Sequence, residues 1–330
     1  MTDQPQMELP HQTVLSVREL YAEKHVFLTG VTGFVGKVLL ALIATELRAV
    51  RRITVLVRVN NSFSDPRRRF EVDVLGSEPF LEVGRRLGTE TLQRWFDDVI
   101  QVVSGDISQA QLGLTDADYQ ALTQTDPPDL ILHCAGNVNF NPPLDQALAV
   151  NAVGVAHKVD FARDAGCPLV HMSTTFVAGK RNGLVRENEP VVGIAPNGQP
   201  FDASRELEDA IVLTRHIRRR AEDQALECRF RDEARSRLTR DGLDFEDESR
   251  FIAEVEKFRR RWVDSELSRE GSERAERWGW TNTYTYTKSL GEKLTLKQAK
   301  QDGVRVSIVR PAIVESSLSF PFPGWNEGMN

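Results

Sequence analysis

Tyr284 and Lys288 form a pair that is suited to acid–base chemistry. They lie four residues apart in a stretch that predicts a helix, so the two side chains share one helical face. A phenol has a pKa of about 10, and a nearby ammonium group lowers that pKa because it favours the phenolate. The spacing also occurs by chance, so the pair gains weight only from other residues that fit the same chemistry.

Hydroxyl groups at the end of a predicted strand fit that chemistry. They belong to Ser173, Thr174 and Thr175, and we assign Thr174 the role of orienting a carbonyl group that Tyr284 protonates. Hydride from a nicotinamide would attack the carbonyl carbon while Tyr284 donates to the developing oxyanion, and Lys288 would also hold the nicotinamide ribose. The alternative interpretation is that the hydroxyl run only forms a turn or a helix cap.

A glycine-rich turn with the spacing Gly-x-x-Gly-x-x-Gly joins a predicted strand to a predicted helix. Gly30 permits the tight turn, Gly33 lets the backbone approach a pyrophosphate, and Gly36 allows close packing of helix against strand. The helix N-terminus adds amide donors and a positive dipole end. A purely structural turn is the alternative. The predicted cofactor residues here are Gly30, Thr32, Gly33, Phe34, Val35 and Gly36.

Arg58 follows the second predicted strand, where NAD-binding proteins place a carboxylate that accepts from the adenosine ribose. An arginine at that point can pair with the 2′-phosphate of NADP, and no carboxylate follows the strand until Asp65. The sequence therefore favours NADPH as the cofactor. The alternative is that Arg58 is only a solvated residue at a strand end.

Further residues at predicted strand ends complete the expected cofactor site. Asp106 can accept a hydrogen bond from the adenine amino group or serve as a turn former, and both interpretations stay open. Small residues after the next strand let the backbone pass close to the ribose. The cofactor residues predicted outside the glycine turn are Arg58, Asp106, Ile107, Ala135, Gly136, Asn137, Lys288, Pro311 and Ile313.

The elements that must position these residues alternate between strands and helices. Strands are predicted at 25–29, 53–57, 99–103, 130–133, 169–172 and 304–309, and the clearest helices at 34–47, 151–165 and 282–300. Alternation predicts a parallel sheet, and near-continuous Val, Ile and Leu runs predict helices on both of its faces. The predicted fold class is α/β, a Rossmann-type doubly wound parallel sheet with a charged helical insertion before the Tyr-x-x-x-Lys helix.

Composition divides the chain into four predicted segments. They are 1–24, an N-terminal polar segment or helix; 25–203, an NADP-binding Rossmann core; 204–277, a charged helical insertion; and 278–330, the catalytic helix, the last core strand and the start of an incomplete substrate-binding region. Amphipathic stripes that begin at Leu207 and at Phe251 predict a solvated pair of surface helices in the insertion, with a lid or docking surface as the alternative.

Composition and charge exclude several classes of function. The net charge of −6 argues against nucleic acid as a partner. The apolar run 38–44 is far shorter than the roughly 20 residues of a membrane span, and residues 1–11 lack the features of a signal peptide, so we expect a cytoplasmic protein and leave peripheral membrane contact open. The three cysteines share no paired spacing, so neither a disulfide framework nor a metal site is predicted. The oligomeric state is not indicated.

Together these motifs resemble the extended short-chain dehydrogenase/reductases over most of the chain. The phrases at 26–30, 171–175, 282–288, 310–316 and 321–328 more narrowly resemble the fatty acyl-CoA reductases. The resemblance implies that Thr174, Tyr284 and Lys288 carry the catalytic roles and that the substrate is a fatty acyl thioester of coenzyme A or of an acyl-carrier protein. The chain departs from that family in a longer insertion after Thr174 and in the region expected beyond Asn330.

The leading hypothesis is that NADPH reduces a long acyl thioester through a hemithioacetal to the aldehyde, and that a second hydride gives the alcohol. No acyl-enzyme is needed, and Cys134 is expected to be a buried small hydrophobe. One alternative is a nucleotide-sugar epimerase or dehydratase, which uses the same turn and Tyr-Lys pair. A second is a non-catalytic dinucleotide-sensing protein, which has no need of that pair.

Overall fold

Six parallel strands form the central sheet of the computed structural model, which describes residues 15–187, 193–243 and 246–327. Residues 1–14 of the expected N-terminal segment and 328–330 of the expected last segment lie outside the described residues. The strands are β1 (His25–Thr29), β2 (Arg52–Val57), β3 (Ile100–Ser104), β4 (Leu130–His133), β5 (Leu169–Met172), the short antiparallel pair β6 (Gly193–Ile194) and β7 (Pro200–Phe201), and β8 (Val306–Val309).

The spatial order of the main sheet is β3-β2-β1-β4-β5-β8. The chain runs outward in one direction from β1 to β3 and in the other from β4 to β8, so the order reverses between β1 and β4. This is the doubly wound parallel arrangement, which confirms the predicted fold class. In such sheets ligands bind beyond the carboxyl ends of the strands, at the point of reversal.

Helices connect and cover the strands. They are α1 (Val17–Tyr21), α2 (Phe34–Glu46), α3 (Pro66–Phe70), α4 (Glu78–Leu87), α5 (Thr89–Val99), α6 (Asp116–Gln120), α7 (Leu144–Leu148), α8 (Gly154–Asp164), α9 (Ala203–Arg220), α10 (Gln224–Arg240), α11 (Glu248–Trp278) and α12 (Thr283–Asp302). Single π-helical turns extend α3 and α6 and join α7 to α8, at Glu71–Leu75, Ala121–Thr125 and Ala149–Val153, and 3₁₀ turns lie at Ala110–Gly113 and Thr175–Ala178.

The central strands of the sheet are buried on both faces, as the apolar runs predict, whereas the edge strands β3 and β8 also carry exposed residues. All five residues of β1 are buried, and its three apolar residues alternate between two clusters. Val26 and Leu28 pack with Leu40 and neighbouring residues of α2 on one face. Phe27 packs on the other face against Phe161 of α8, with ring centroids 4.7 Å apart. A strand buried on both faces explains why the hydrophobic pattern is continuous rather than alternating.

Helix α12 carries Tyr284 and Lys288 and is held by unusually close packing. A capping box between Asn282 and Thr285 begins the helix, and most of its side chains are buried. A Cβ atom at Gly291 would lie only 1.8 Å from the carbonyl oxygen of Asn151. The helix therefore rests directly on the backbone of the π-helical turn after α7, which fixes its position relative to the sheet.

The segment between the two halves of the core contains three helices, one more than the expected pair, and the first of them packs into the core. Helix α9 packs Ala210 and Ile217 into the cluster that includes Leu148 and Tyr286, so it supports α12. Helices α10 and α11 pack on each other around Phe230. The periodicity of an apolar stripe shows which face of a helix is buried but does not show its partner. No helix among the described residues has the length and apolar character to cross a membrane.

Two glycines inside helices provide a test of how closely α12 is packed. We expect Gly291→Ala to lower the free energy of unfolding by about 3 kcal/mol, at the upper end of typical overpacking costs, because the new methyl group meets backbone that cannot move aside. The matched control is Gly84→Ala in α4, where the atom nearest to the new methyl group would be 3.8 Å away. Alanine at this position should raise the free energy of unfolding by up to about 1 kcal/mol. Urea unfolding of the two variants measures both. Equal effects would contradict the packing described for α12.

Candidate active site

The three glycines of the turn after β1 have different structural roles. Gly30 has a φ of +79°, and a Cβ there would lie 2.5 Å from the amide nitrogen of Ala135 at the end of β4. A Cβ at Gly36 would lie 2.1 Å from the carbonyl oxygen of Gly30. Both residues are therefore required by the fold. Gly33 is exposed. A Cβ at Gly33 would lie 3.3 Å from the carbonyl oxygen of Gly30, which is the nearest atom among the described residues.

The N-terminus of α2 faces the carboxyl edge of the sheet at the point where the strand order reverses. Gly33 is its cap residue and offers no side chain to the first turn, so the amides of Phe34, Val35 and Gly36 are not capped by it. Thr32 lies half-exposed beside them. This arrangement of free amides at the positive end of a helix dipole fits the pyrophosphate of a dinucleotide.

Arg58 and Asp106 follow the neighbouring strands β2 and β3, and the structure brings them together. The Arg58 guanidinium is 61% exposed and lies 3.8 Å from Oδ2 of Asp106. The other oxygen, Oδ1, accepts hydrogen bonds from the amide and hydroxyl of Ser108, at 2.9 and 2.7 Å. Asp106 thus forms a turn with one oxygen and faces Arg58 with the other, so the turn and ligand interpretations are compatible. The Arg69 guanidinium donates to the Arg58 carbonyl oxygen.

Asn151 ties the chain after β4 to the catalytic helix. Its Oδ1 accepts from the Asn137 amide at 2.9 Å, while its Nδ2 donates to the Asn137 carbonyl at 2.9 Å and to the Thr287 hydroxyl at 3.1 Å. A Cβ at Gly136 would lie 3.8 Å from Nζ of Lys288. The segment Ala135 to Asn137 therefore passes directly beside Lys288, as a backbone that faces a ribose would.

The remaining predicted cofactor residues lie at the margins of this region. Ile107 is buried, and its carbonyl oxygen lies 3.2 Å from Nδ1 of His157. Pro311 follows β8, and its carbonyl oxygen accepts from the amide of Thr175 at 2.9 Å, which places it next to Thr174. Ile313 is 70% exposed.

Thr174, Tyr284 and Lys288 come together at the end of β5. Thr174 is buried, and its hydroxyl lies close enough to the phenol of Tyr284 to influence the pKa of that phenol. Lys288 is also buried, and its Nζ donates to the carbonyl oxygen of Met172 at 2.7 Å. One hydroxyl, one phenol and one ammonium group therefore converge from two elements, as a carbonyl reductase requires.

The pKa shifts in this set differ from the expectation. Burial raises the pKa of Tyr284, and the neighbouring Thr174 hydroxyl opposes that rise, whereas the sequence predicted that Lys288 lowers the phenol's pKa. Burial lowers the pKa of Lys288 to about 8, with Glu292 opposing the fall. The ammonium group points to a backbone carbonyl, so burial dominates at the phenol. A protonated phenol at neutral pH is the form that donates to an oxyanion.

The neighbouring hydroxyl groups are engaged elsewhere. Tyr286 is fully buried and donates to Oε1 of Glu206 at 2.7 Å, on the opposite side of α12 from Thr174. Ser173 donates to Glu292 at 2.6 Å, and Thr175 is exposed. Burial also raises the pKa of Cys134 to about 11, so this thiol is protonated at neutral pH. Within the Ser/Thr run, Thr174 is the residue that meets the phenol.

The segment after β8 returns to the glycine turn, which the sequence did not indicate. The ring of Trp325 stacks on Phe34 with centroids 4.9 Å apart, and Glu327 forms an ion pair with Lys37, one turn into α2. The Ser317 amide donates to the Trp325 carbonyl at 2.7 Å and the Gly324 amide donates to the Ser317 carbonyl at 2.8 Å, and these bonds close the intervening loop. The only available signal was a tryptophan and an acidic residue at the end of a Pro- and Gly-rich stretch.

Two other functional candidates were also missed. Asn151 stands as a polar residue in an otherwise apolar helical stretch, and Glu292 continues the four-residue spacing of Tyr284 and Lys288. Both side chains are buried and fully engaged with the site. A polar residue on the buried face of a predicted helix was the signal that could have found them.

Comparisons with known proteins agree with this geometry. The family model described as "Male sterility protein", an NAD-binding family, matches residues 28–330. A probable fatty acyl-CoA reductase 5 from Arabidopsis thaliana is 28% identical over 317 residues, covering 96% of this chain and 56% of that protein. The alcohol-forming fatty acyl-CoA reductase of Simmondsia chinensis is 27% identical over 319 residues, covering 95% and 56%. The chain thus spans about half the length of these curated relatives.

A solved structure supports the fold. The terminal R domain from the myxalamid PKS-NRPS biosynthetic pathway superposes with a TM-score of 0.54 and 21% sequence identity, covering 92% of this chain and 52% of that chain. At this level of identity the likeness concerns the architecture, which agrees with the six-stranded parallel sheet.

The exposed position of Gly33 at the helix N-terminus leads to a prediction about dinucleotide binding. We expect Gly33→Val to lose measurable affinity for NADPH and NADH while its thermal unfolding midpoint stays within a few degrees of the wild type, because the side chain would occupy the path of the pyrophosphate and requires the Gly30 carbonyl oxygen to shift by only a few tenths of an ångström. Gly36→Val is the contrast, since it should lower the midpoint as well. Isothermal titration with each dinucleotide measures the affinity, and wild-type affinity in a folded Gly33→Val protein would refute the role assigned to Gly33.

Proposed function

Because this chain belongs to the male sterility protein family of NAD-binding proteins, we propose that it reduces long-chain fatty acyl thioesters with NADPH. The observation that carries the proposal is the convergence of Thr174, Tyr284 and Lys288 at the carboxyl edge of the sheet, beside the glycine-rich turn. The names of the relatives, fatty acyl-CoA reductases, support an acyl thioester as the substrate.

The residues have separable roles in this proposal. Thr174 and Tyr284 hold the thioester carbonyl oxygen, and the bound dinucleotide supplies hydride to the carbonyl carbon. Tyr284 donates its proton to the developing oxyanion, which gives a hemithioacetal. Loss of the thiol then leaves an aldehyde, and a second cycle on the aldehyde carbonyl gives the alcohol. Lys288 lies beside Gly136, where its ammonium group can hold the nicotinamide ribose.

NADPH rather than NADH is the cofactor that we propose. Arg58 is exposed at the end of β2, and its guanidinium can form charge-assisted hydrogen bonds with a 2′-phosphate. Arg69 supports it by donating to the Arg58 carbonyl oxygen. Asp106 then accepts a hydrogen bond from the adenine amino group with Oδ2, the carboxylate oxygen that does not bind Ser108.

Exposed apolar side chains after β4 and β5, one of them beside the Tyr284 ring, support an acyl chain as part of the substrate. Val138 and Phe140 follow β4 and are 66% and 64% exposed, and Phe176 follows β5. The ring centroid of Phe140 lies 6.4 Å from that of Tyr284. An aliphatic chain placed here would cover apolar surface within reach of the reacting carbonyl. The thiol carrier in this proposal is either coenzyme A or an acyl-carrier protein.

A substrate panel tests the proposed function. NADPH oxidation would be followed with palmitoyl-CoA, with palmitoyl acyl-carrier protein and with UDP-glucose, and the products would be identified by mass spectrometry. Oxidation with either thioester and release of an aldehyde or alcohol is the expected result, and the ratio of the two thioesters identifies the carrier. Conversion of UDP-glucose alone would favour a nucleotide-sugar epimerase or dehydratase. Dinucleotide binding with no turnover of any kind would favour a sensing protein.

Replacing each tyrosine of the catalytic helix in turn tests the acid. We expect Tyr284→Phe to reduce kcat by a factor of about 10² to 10⁴, the usual range for loss of a general acid, with little change in NADPH affinity. Tyr286→Phe is the matched control, because its hydroxyl is bound to Glu206 on the other side of the helix and its loss should leave kcat within about threefold. Steady-state kinetics and NADPH titration measure both. An inactive Tyr286→Phe beside an active Tyr284→Phe would show that the catalytic register is wrong.

Reversing the charge at the end of β2 tests the cofactor preference. We expect Arg58→Asp to shift the ratio of kcat/KM for NADPH to that for NADH by a factor of roughly 10² toward NADH, because a carboxylate repels the 2′-phosphate and accepts from a free ribose hydroxyl. Arg94→Asp makes the same change of net charge on α5 and should leave the ratio unchanged. An unchanged ratio in Arg58→Asp would remove this residue from the site.

A further inference from the structure

Glu292 lies on the catalytic face of α12 and has no solvent exposure. It follows Lys288 by four residues and Tyr284 by eight, so the three side chains form one stripe along the helix. An ionised carboxylate at such depth is costly unless it is paired and hydrogen-bonded. Its presence inside the core therefore calls for partners of matching strength.

Those partners come from two different strand ends. The hydroxyl of Ser173, after β5, donates to Oε2 of Glu292 at 2.6 Å. The guanidinium of Arg310, after β8, donates through Nη2 to Oε1 at 2.6 Å and through Nε to Oε2 at 3.1 Å. Both oxygens of the carboxylate are thus engaged, and one side chain links α12 to β5 and β8.

The linked residues enclose Thr174. Ser173 precedes it, and the Ser173 amide donates to the Val309 carbonyl at 2.7 Å. Thr175 follows it, and the Thr175 amide donates to the Pro311 carbonyl at 2.9 Å. Arg310 lies between these two acceptors. The clamp that Glu292 makes with Ser173 and Arg310 therefore fixes the backbone on both sides of Thr174, against the helix that carries Tyr284.

We propose that Glu292 is the positioning residue of the catalytic set, which places Thr174 opposite Tyr284 through Ser173 and Arg310 and supplies the negative charge that keeps Lys288 in its ammonium form. The inference rests on the proposed catalytic roles of Thr174, Tyr284 and Lys288.

The electrostatic part of the proposal follows from the groups that face Lys288. Cys134 at the end of β4 lies near it. Three buried bases also interact electrostatically with Lys288, namely Lys158 of α8, His133 of β4 and His171 of β5. Burial lowers the pKa of each of these three bases well below its ordinary value, and none of the three can supply a negative charge to Lys288. Glu292 raises the pKa of Lys288 against burial, which leaves that pKa at about 8.

The direction of the pH effect follows. Lys288 is charged below its pKa and loses its charge as the pH rises through about 8. When the negative charge at position 292 is removed, the ammonium form is less favoured and the pKa of Lys288 falls further. The decline of kcat at high pH should then begin at a lower pH, whereas a change that only loosens the packing would lower kcat without moving that decline.

The chain offers a matched control on the other side of the same helix. Glu206 is buried, accepts from Tyr286 at 2.7 Å and is held by Arg274 at 2.6 and 3.2 Å. It is therefore also a buried carboxylate bound to a hydroxyl on one side and to an arginine on the other, but its network does not reach Thr174. Glu206→Gln should cost stability much as Glu292→Gln does, without the electrostatic effect on Lys288.

The experiment compares pH profiles of kcat for the wild type, Glu292→Gln, Glu292→Asp, Ser173→Ala and Glu206→Gln. We expect Glu292→Gln to lower kcat at pH 7 by at least tenfold and to move the alkaline decline down by about one pH unit. Glu292→Asp and Ser173→Ala should lower kcat by about threefold to tenfold with the decline in place, because the charge remains. Glu206→Gln should leave the decline unmoved. A direct readout is the ¹³C NMR titration of the Lys288 side chain without dinucleotide, assigned with Lys288→Met.

Each outcome decides the proposal. An unmoved decline and an unchanged Lys288 titration in Glu292→Gln would overturn the electrostatic part. If Glu292→Gln does not fold, wild-type kcat in both Glu292→Asp and Ser173→Ala would overturn the positioning part. If the wild type reduces no thioester, the proposed function fails, while the titration of Lys288 in the Glu292 variants still decides whether the carboxylate controls that charge.

Discussion

Backbone contact between α12 and the π-helical turn after α7 is the constraint on which the site depends. Gly291 allows this contact, because any side chain there would meet the carbonyl oxygen of Asn151. Asn151 then uses its amide to hold both the chain after β4 and the Thr287 hydroxyl of α12. With the helix fixed at this point, its periodicity directs Tyr284 toward the end of β5 and Tyr286 toward α9 and α11.

Two buried carboxylates stabilise the polar groups that this close packing removes from water. Glu206 accepts hydrogen bonds from the Tyr286 hydroxyl and the Arg274 guanidinium, on the side of α12 that faces α9 and α11. Glu292 satisfies Ser173 and Arg310 on the side that faces the sheet. Each network pairs an anion with a guanidinium, which is the arrangement that makes buried charge tolerable. The difference between them is position, since only the network of Glu292 adjoins the catalytic set.

The sequence predicted those features that depend on local pattern. The strand at β1, the glycine turn and the order of strands and helices follow from apolar runs and from backbone conformations that only glycine adopts freely, and the structure confirms the predicted fold class. The resemblance to the fatty acyl-CoA reductases is confirmed by the family match and by the relatives. The two-residue spacing of Tyr284 and Tyr286 on a helix also accounts for their different partners.

The remainder depends on contacts between distant segments. The apolar stripe of α9 has the same sequence pattern whether it packs on another surface helix or on the core. The sequence therefore did not predict that α9 packs beside Tyr286. The pairing of Glu292 with Arg310 and the return of Trp325 to Phe34 join residues that no periodicity connects. The pKa of Tyr284 rises because of burial, a property of the folded site rather than of the spacing to Lys288.

Transfer of isotope from the cofactor to the acyl carbon tests the central claim most directly. NADPH stereospecifically deuterated at C4 of the nicotinamide would be supplied with palmitoyl-CoA, and the aldehyde and alcohol would be analysed by mass spectrometry and NMR. Direct reduction at the site of Thr174, Tyr284 and Lys288 predicts deuterium at C1 of the product from one of the two C4 epimers. Product without deuterium from either epimer, or NADPH oxidation that leaves the thioester intact, would contradict the account.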